Sequence, residues 1–218
     1  MAVQKGNYKQ LTELCRDKQV SLVAVSKTKP VEDILSMYDL GQRDFGENYV
    51  QELVAKYDQL PKDIRWHFIG HLQSNKVKYI APFVHLVHGV DSEKLLSEIN
   101  KQAIKNNRVI PCLLQVHIAQ EETKFGFDDN ELMNFFSSNS AVALKGISVK
   151  GLMGMASFTD DMDKVKSEFT HLFSLYQKAK EFNQSIEILS MGMSADYELA
   201  IECGSNMIRV GSLLFGAR

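Results

Sequence analysis

The chain has 218 residues, enough for one core that buries roughly 70% of the surface its unfolded form exposes and few for two ordinary domains, so 1–218 is expected to be a single domain. Hydrophobic residues at 44% and charged residues at 24% mark a soluble globular chain, not a disordered or fibrous one. The net charge is −2 and no basic run occurs, which argues against nucleic acid or an anionic membrane surface as a partner.

Residues 1–19 mix charges and amides with no apolar stretch, so a secretory signal is not expected there. Residues 20–26 then run almost continuously apolar, as a parallel strand does when both its faces are covered. Pro30 opens a helix whose Ile34, Leu35 and Tyr38 share a face, and Gly41 closes it where left-handed backbone is cheapest. Seven more strands are predicted at 43–45, 66–69, 84–87, 110–118, 147–153, 186–189 and 207–210, each followed by a helical pattern. The clearest helix spans 163–182, with Val165, Phe169, Leu172, Phe173, Tyr176, Ala179 and Phe182 on one stripe. Eight strands in strict alternation with helices predict a single (β/α)8 TIM-type barrel, since a flavodoxin-like or Rossmann sheet needs five or six. No stretch is long and apolar enough to span a membrane. Cys15, Cys112 and Cys203 stand far apart with no C-x-x-C spacing, so neither a disulfide framework nor a thiolate metal site is expected, and the compartment is expected to be the reducing cytosol.

In such a barrel the reacting groups lie at the C-terminal ends of the strands and in the loops after them. Side-chain alternation puts Val23, Val25 and Lys27 on one face, with Lys27 at the rim of the first strand. Out of bulk water and near another cation, such an amine loses part of its charged form, which is what Schiff-base formation with an aldehyde requires. In the last strand Arg209 and Gly211 share parity, which turns a guanidinium into the barrel. A buried arginine needs an acceptor, and a pyridine nitrogen, a carboxylate or an internal acidic residue would each serve. Ser190, Gly192 and Ser194 after the seventh strand, with Gly211 and Ser212 after the eighth, place hydroxyls and small residues where barrel proteins hold phosphate.

Asn48 and the stretch from His71 to Asn75 end the second and third strands and either line the mouth or cap helices. His67 and His71 are separated across a strand end, and His85 and His88 fall on opposite strand faces, so neither pair is expected to bind metal; satisfied core or surface histidines are expected. Lys124-Phe125-Gly126 follows the fifth strand as a lid or contact loop.

These residues resemble the pyridoxal 5′-phosphate (PLP) homeostasis proteins, the YggS/PROSC family. The resemblance rests on Ala24-Val25-Ser26-Lys27-Thr28-Lys29-Pro30, Phe45-Gly46-Glu47-Asn48, Trp66-His67-Phe68-Ile69-Gly70-His71, Thr123-Lys124-Phe125-Gly126, Gly151-Leu152-Met153, Leu189-Ser190-Met191-Gly192-Met193-Ser194 and Ile208-Arg209-Val210-Gly211-Ser212. The region before Val20 departs from the family in lacking its usual glycine-arginine ending. The resemblance implies the barrel of the alanine racemase N-terminal domain, PLP on Lys27, phosphate on Ser190, Ser194 and the amides of Gly211 and Ser212, and Arg209 facing the pyridine nitrogen. It also implies a cofactor carrier and not a committed enzyme.

Elementary chemistry points the same way. Arginine can only donate to a ring nitrogen, so Arg209 would leave it unprotonated and the ring a poor electron sink. Racemisation needs two acid/base groups flanking the substrate carbon, and Lys27 supplies one; the chain ends a few residues after the last strand, with no obvious tyrosine for the second. The leading expectation is a cytoplasmic, monomeric PLP holder that exchanges the cofactor with PLP-dependent apoenzymes. Two alternatives stay open: a weak PLP-dependent amino-acid racemase, and a cofactor-free Schiff-base lyase acting on sugar phosphates.

Overall fold

The computed structural model describes residues 3–119, 125–138 and 144–216. Eight parallel strands, β1 (Ser21–Val25), β2 (Asp44–Glu47), β3 (Arg65–Phe68), β4 (Leu86–Val90), β5 (Ile110–Gln115), β6 (Ile147–Met153), β7 (Ile188–Ser190) and β8 (Met207–Val210), close into a barrel in sequence order. The ring shuts where β8 pairs with β1, Ser21 opposite Met207 and Ala24 opposite Val210. Outside it lie α1 (Lys5–Lys18), α2 (Val31–Asp39), α3 (Val50–Gln59), α4 (Val77–Ile80), α5 (Glu93–Lys105), α6 (Asp129–Ser137), α7 (Met162–Phe182), α8 (Tyr197–Glu202) and α9 (Ser212–Phe215). The predicted (β/α)8 fold is observed. One seam is short: β7 meets β8 in a single register pair, Ser190 opposite Met207.

The strands read as continuous apolar runs because each faces two cores. Leu22, Ala24, Val87, Leu114, Leu152, Ile208 and Val210 point outward into the layer under the helices, while Val23, Leu86, Leu113, Met153 and Met207 fill the barrel itself. In α7 the expected stripe buries Val165, Phe169, Leu172, Tyr176 and Ala179, whereas Phe182 at its end is exposed and stacks beside Phe136. Asp161 caps this helix through the Lys164 amide, and Asp128 with Glu131 forms a capping box at the start of α6.

Only β6 and β8 keep their predicted bounds; β1, β3 and β7 shift by one or two residues, and β2, β4 and β5 move for visible reasons. β2 runs on through Gly46, where an added Cβ would meet Val23 Cγ1 at 3.0 Å; the small residue lets neighbouring strands close tightly. β4 starts later because Val84 still bonds back to Ile80 at the end of α4. β5 stops at Gln115: the Val116 amide still reaches the Met153 carbonyl at 2.8 Å, and the chain then turns so that the His117 amide bonds to the Phe127 carbonyl at 3.0 Å. Before Val20, α1 ends on Gln19 in the left-handed region at φ 56°, an amide taking the place that glycine commonly fills.

Candidate functional site

β1 hands Lys27 to the barrel mouth by a tight turn. The Lys29 amide bonds to the Ser26 carbonyl at 3.0 Å, which makes Lys27 the first corner residue, and Thr28 follows at φ 63°. Left-handed threonine is strained, and its amide is held by Glu52 Oε1 at 2.6 Å. Beneath the turn a buried network fixes its base. Ser26 Oγ donates to Glu47 Oε1 at 2.5 Å, and Lys56 Nζ donates to Glu47, Glu52 and the Ser26 carbonyl at 2.6–2.7 Å. Burial raises the Glu47 carboxyl above its ordinary range, against the pull of Lys56. Lys29 Nζ reaches the Phe215 and Gly216 carbonyls at 3.1 and 3.2 Å, tying the turn to the chain after β8.

β8 supplies Arg209, 4% exposed, at the wall of the same mouth. Its guanidinium donates to Ser190 Oγ at 2.6 Å and to the Gly154 carbonyl at 3.0 Å. Desolvation pulls it down to about 10, with Asp196 opposing. The loop after β7 folds back on β8: the Arg209 amide bonds to the Gly192 carbonyl at 2.9 Å, and the Gly211 amide to Ser194 Oγ at 3.2 Å. Gly192 sits at φ 96°, and a Cβ there would come within 2.6 Å of Ala200 Cβ.

Lys27, Asn48, Ser194, Arg209, Gly211 and Ser212 line one cavity of about 690 Å³, together with Met155 and Phe158. That volume suits a drug-sized or cofactor-sized ligand. Ser190 and Gly192 are not on its lining. Ser190 is fully buried one layer deeper, under Arg209, and Gly192 shapes the loop that carries Ser194. Asn48 is half-buried, and its Oδ1 is buried with no partner. Lys124 lies outside the described residues; Phe125 beside it stacks on His71 with centroids 4.0 Å apart.

The histidines combine differently from either sequence pair. His67 Nδ1 lies 2.9 Å from His88 Nε2, and His88 Nδ1 lies 3.1 Å from Ser190 Oγ. At the floor, His67 Nε2 is 3.0 Å from Asp44 Oδ1, which Arg65 also grips in a two-pronged pair at 2.6–2.7 Å. Ligand atoms of Asp44, His67 and His85 fall within 4.8 Å of one another, yet Arg65 occupies the carboxylate, which disfavours a cation there. Sequence parity along β3 and β4 turns His67 and His88 inward but does not reveal which strands meet across the barrel.

Fold and site together define a barrel of the alanine racemase N-terminal domain class, and the model of that domain matches residues 3–218. The chain is 40% identical over 207 residues to a pyridoxal phosphate homeostasis protein of Pasteurella multocida, covering 93% of this chain and 88% of that one. A pyridoxal phosphate homeostasis protein of Aquifex aeolicus is 42% identical over 199 residues, 90% and 86% of the two chains. Among solved structures, PipY of Synechococcus elongatus superposes with a TM-score of 0.88 without PLP, at 33% identity over 95% of this chain and 99% of that one. With PLP bound it superposes at 0.85, at 32% identity over 96% and 100% of the two chains. The chain belongs to the family of the pyridoxal phosphate homeostasis proteins.

Proposed function

We propose that this chain holds PLP in the barrel-mouth cavity and serves the supply of that cofactor within the cell, without a committed turnover of its own. The observation that carries the reading is the meeting of a lysine, a buried arginine and two loops carrying serine and glycine in one cavity, in a chain whose relatives are named for PLP homeostasis and one of which was solved with PLP bound. The residues fit the group. Ser194, Gly211 and Ser212 offer hydroxyls and amides for a phosphate, and Lys27 offers an amine for an aldehyde. Asn48 lines the cavity and its Oδ1 is buried without a partner, and Arg209 keeps donor capacity beyond its two bonds.

PLP supplies an aldehyde carbon that links reversibly to amines and a ring that withdraws electrons. With PLP in the cavity, Arg209 would donate to the ring nitrogen without protonating it, which would keep that withdrawal weak. Ser190 acts from below by accepting one guanidinium bond, and Gly192 sets the path of the loop to Ser194. Among the described residues lining the cavity there is no histidine, tyrosine or cysteine to serve as a second proton carrier beside Lys27. Lys29 is engaged by two carbonyls, and Asp196 accepts the Met193 amide at 2.5 Å. A holder that gives PLP back to PLP-dependent apoenzymes follows, acting as one domain over 1–218, as a monomer, in the cytosol. No helix among the described residues is long and apolar enough to cross a membrane.

Borohydride reduction of the PLP-loaded protein followed by peptide mass spectrometry tests the reading. The adduct is expected on Lys27; an adduct chiefly on Lys29 or Lys124, or a protein that stays colourless with PLP, overturns it. Chiral analysis after long incubation with amino acids tests the absence of turnover, and sustained racemisation at many cycles per protein would overturn the holder assignment.

A further inference from the structure

Five side chains form an unbroken hydrogen-bonded series through the barrel, from its floor at Asp44 to Arg209 at the mouth. Its links are Arg209 to Ser190 at 2.6 Å, Ser190 to His88 at 3.1 Å, His88 to His67 at 2.9 Å and His67 to Asp44 at 3.0 Å. Donor and acceptor rules give the series a direction. A guanidinium only donates, so Ser190 Oγ accepts from Arg209 and has its own proton to place. Placed on His88 Nδ1, that proton makes Nε2 the protonated nitrogen of His88. His88 then donates to His67 Nδ1, and His67 donates from Nε2 to Asp44, a carboxylate kept well below its usual range by its bonds to Arg65 and His67 against the cost of burial. Every group is satisfied.

The reverse direction leaves the Ser190 proton without an acceptor in the series and turns a bare His67 lone pair onto a carboxylate oxygen. A charged His67 also strands the Ser190 proton and adds a second cation to a core that already holds Arg209. Burial of His88 is complete, and desolvation keeps it neutral.

We propose that Asp44, His67, His88 and Ser190 form a one-way hydrogen-bonded chain that positions Arg209 for its ligand, with both imidazoles neutral and protonated on Nε2. Among the described residues Arg209 forms no salt bridge, and the chain brings a floor carboxylate to bear on it through three intervening groups, each bond polarising the next. Asp44, His67 and His88 are positioning residues: they touch neither the cavity nor a ligand in it.

The tautomers themselves do not depend on PLP, whereas the effect on ligand holding rests on the function proposed above. Nitrogen-15 NMR of histidine-labelled, PLP-free protein at neutral pH is expected to show His67 and His88 as neutral rings protonated on Nε2. An imidazolium signal or an Nδ1-protonated ring at either residue overturns the chain. In the second arm, His88→Leu interrupts the series and is expected to weaken PLP holding roughly tenfold and to move the visible band. His88→Gln, whose amide offers one acceptor and one donor, is expected to restore most of both. A His88→Leu protein with unchanged affinity and band overturns the positioning role. If wild-type protein takes up no PLP while the tautomers are as stated, the cofactor assignment fails and the chain stands.

Discussion

The Gly211 amide donates to Ser194 Oγ at 3.2 Å, joining the loop after β8 to the loop after β7 at the lip of the cavity. The bond presents two groups that sequence places 17 residues apart as one edge. A phosphate seated there competes for both, so the hydroxyl at 194 matters twice: it holds the loops together and offers a donor to the anion. Ser194→Ala is expected to weaken PLP retention by roughly tenfold, from the loss of a hydrogen bond to a charged group. Equilibrium dialysis would check this, and the variant should melt within a few degrees of the parent because the site is half-exposed.

Lys27→Ala removes the cavity amine at the corner of the β1 turn while leaving Thr28 and its bond to Glu52 in place. The expected outcome is loss of the visible absorbance and of any borohydride-stable adduct, with weaker, phosphate-driven binding left behind. Absorbance titration and mass spectrometry separate the two effects.

Gly192→Ala should destabilise the protein by roughly 2 kcal/mol, since it adds a Cβ against Ala200 at 2.6 Å and forces φ 96° on a residue that resists it. Urea unfolding measures the change. A fall of less than about 0.5 kcal/mol, the size of an ordinary surface substitution, would show that the loop relaxes.

The pH dependence of stability has a definite sign. His88 is held neutral by burial, so its folded pKa lies below the unfolded value near 6.5. Its contribution is therefore complete above that value and is lost as pH falls, because the unfolded chain takes up a proton that the folded one refuses. Between pH 6 and 5 this single group should lower stability by up to about 1.4 kcal/mol per pH unit. Denaturation of wild type and His88→Gln across that range should show a shallower slope in the variant. His85, lowered by burial, adds in the same direction and remains in both proteins.

Much of this architecture was legible in the sequence. Apolar runs alternating with helical stripes announce eight β/α units, and parity turns Arg209 into the mouth; Lys27 reaches the same cavity through the turn after β1, which ends at Val25. What parity does not convey is depth and cross-barrel pairing. Ser190 shares the inward face with Arg209 but lies beneath it, because β7 ends there and the chain climbs through Gly192 before reaching the lip. His67 and His88 are inward on neighbouring strands, yet their contact depends on stagger between β3 and β4, whose register pairs His67 with Leu86. The Glu47–Lys56 pair under the Lys27 turn was missed for a related reason. A charge inside a short strand and another nine residues along in a helix look like unrelated surface groups until the helix packs back over the strand.

The short seam between β7 and β8 gives the barrel a weak staple at the place where the loops carrying Ser194 and Ser212 rise. Any phosphate gripped by both loops acts as a clasp across that seam, so loading the cavity should tighten the wall itself. Amide hydrogen exchange at Asn206–Val210 is then expected to slow on PLP addition more than exchange across the β5–β6 edge, which six register pairs already lock. Emptying the cavity would let the cylinder breathe along one line, and cofactor release and wall loosening become a single event.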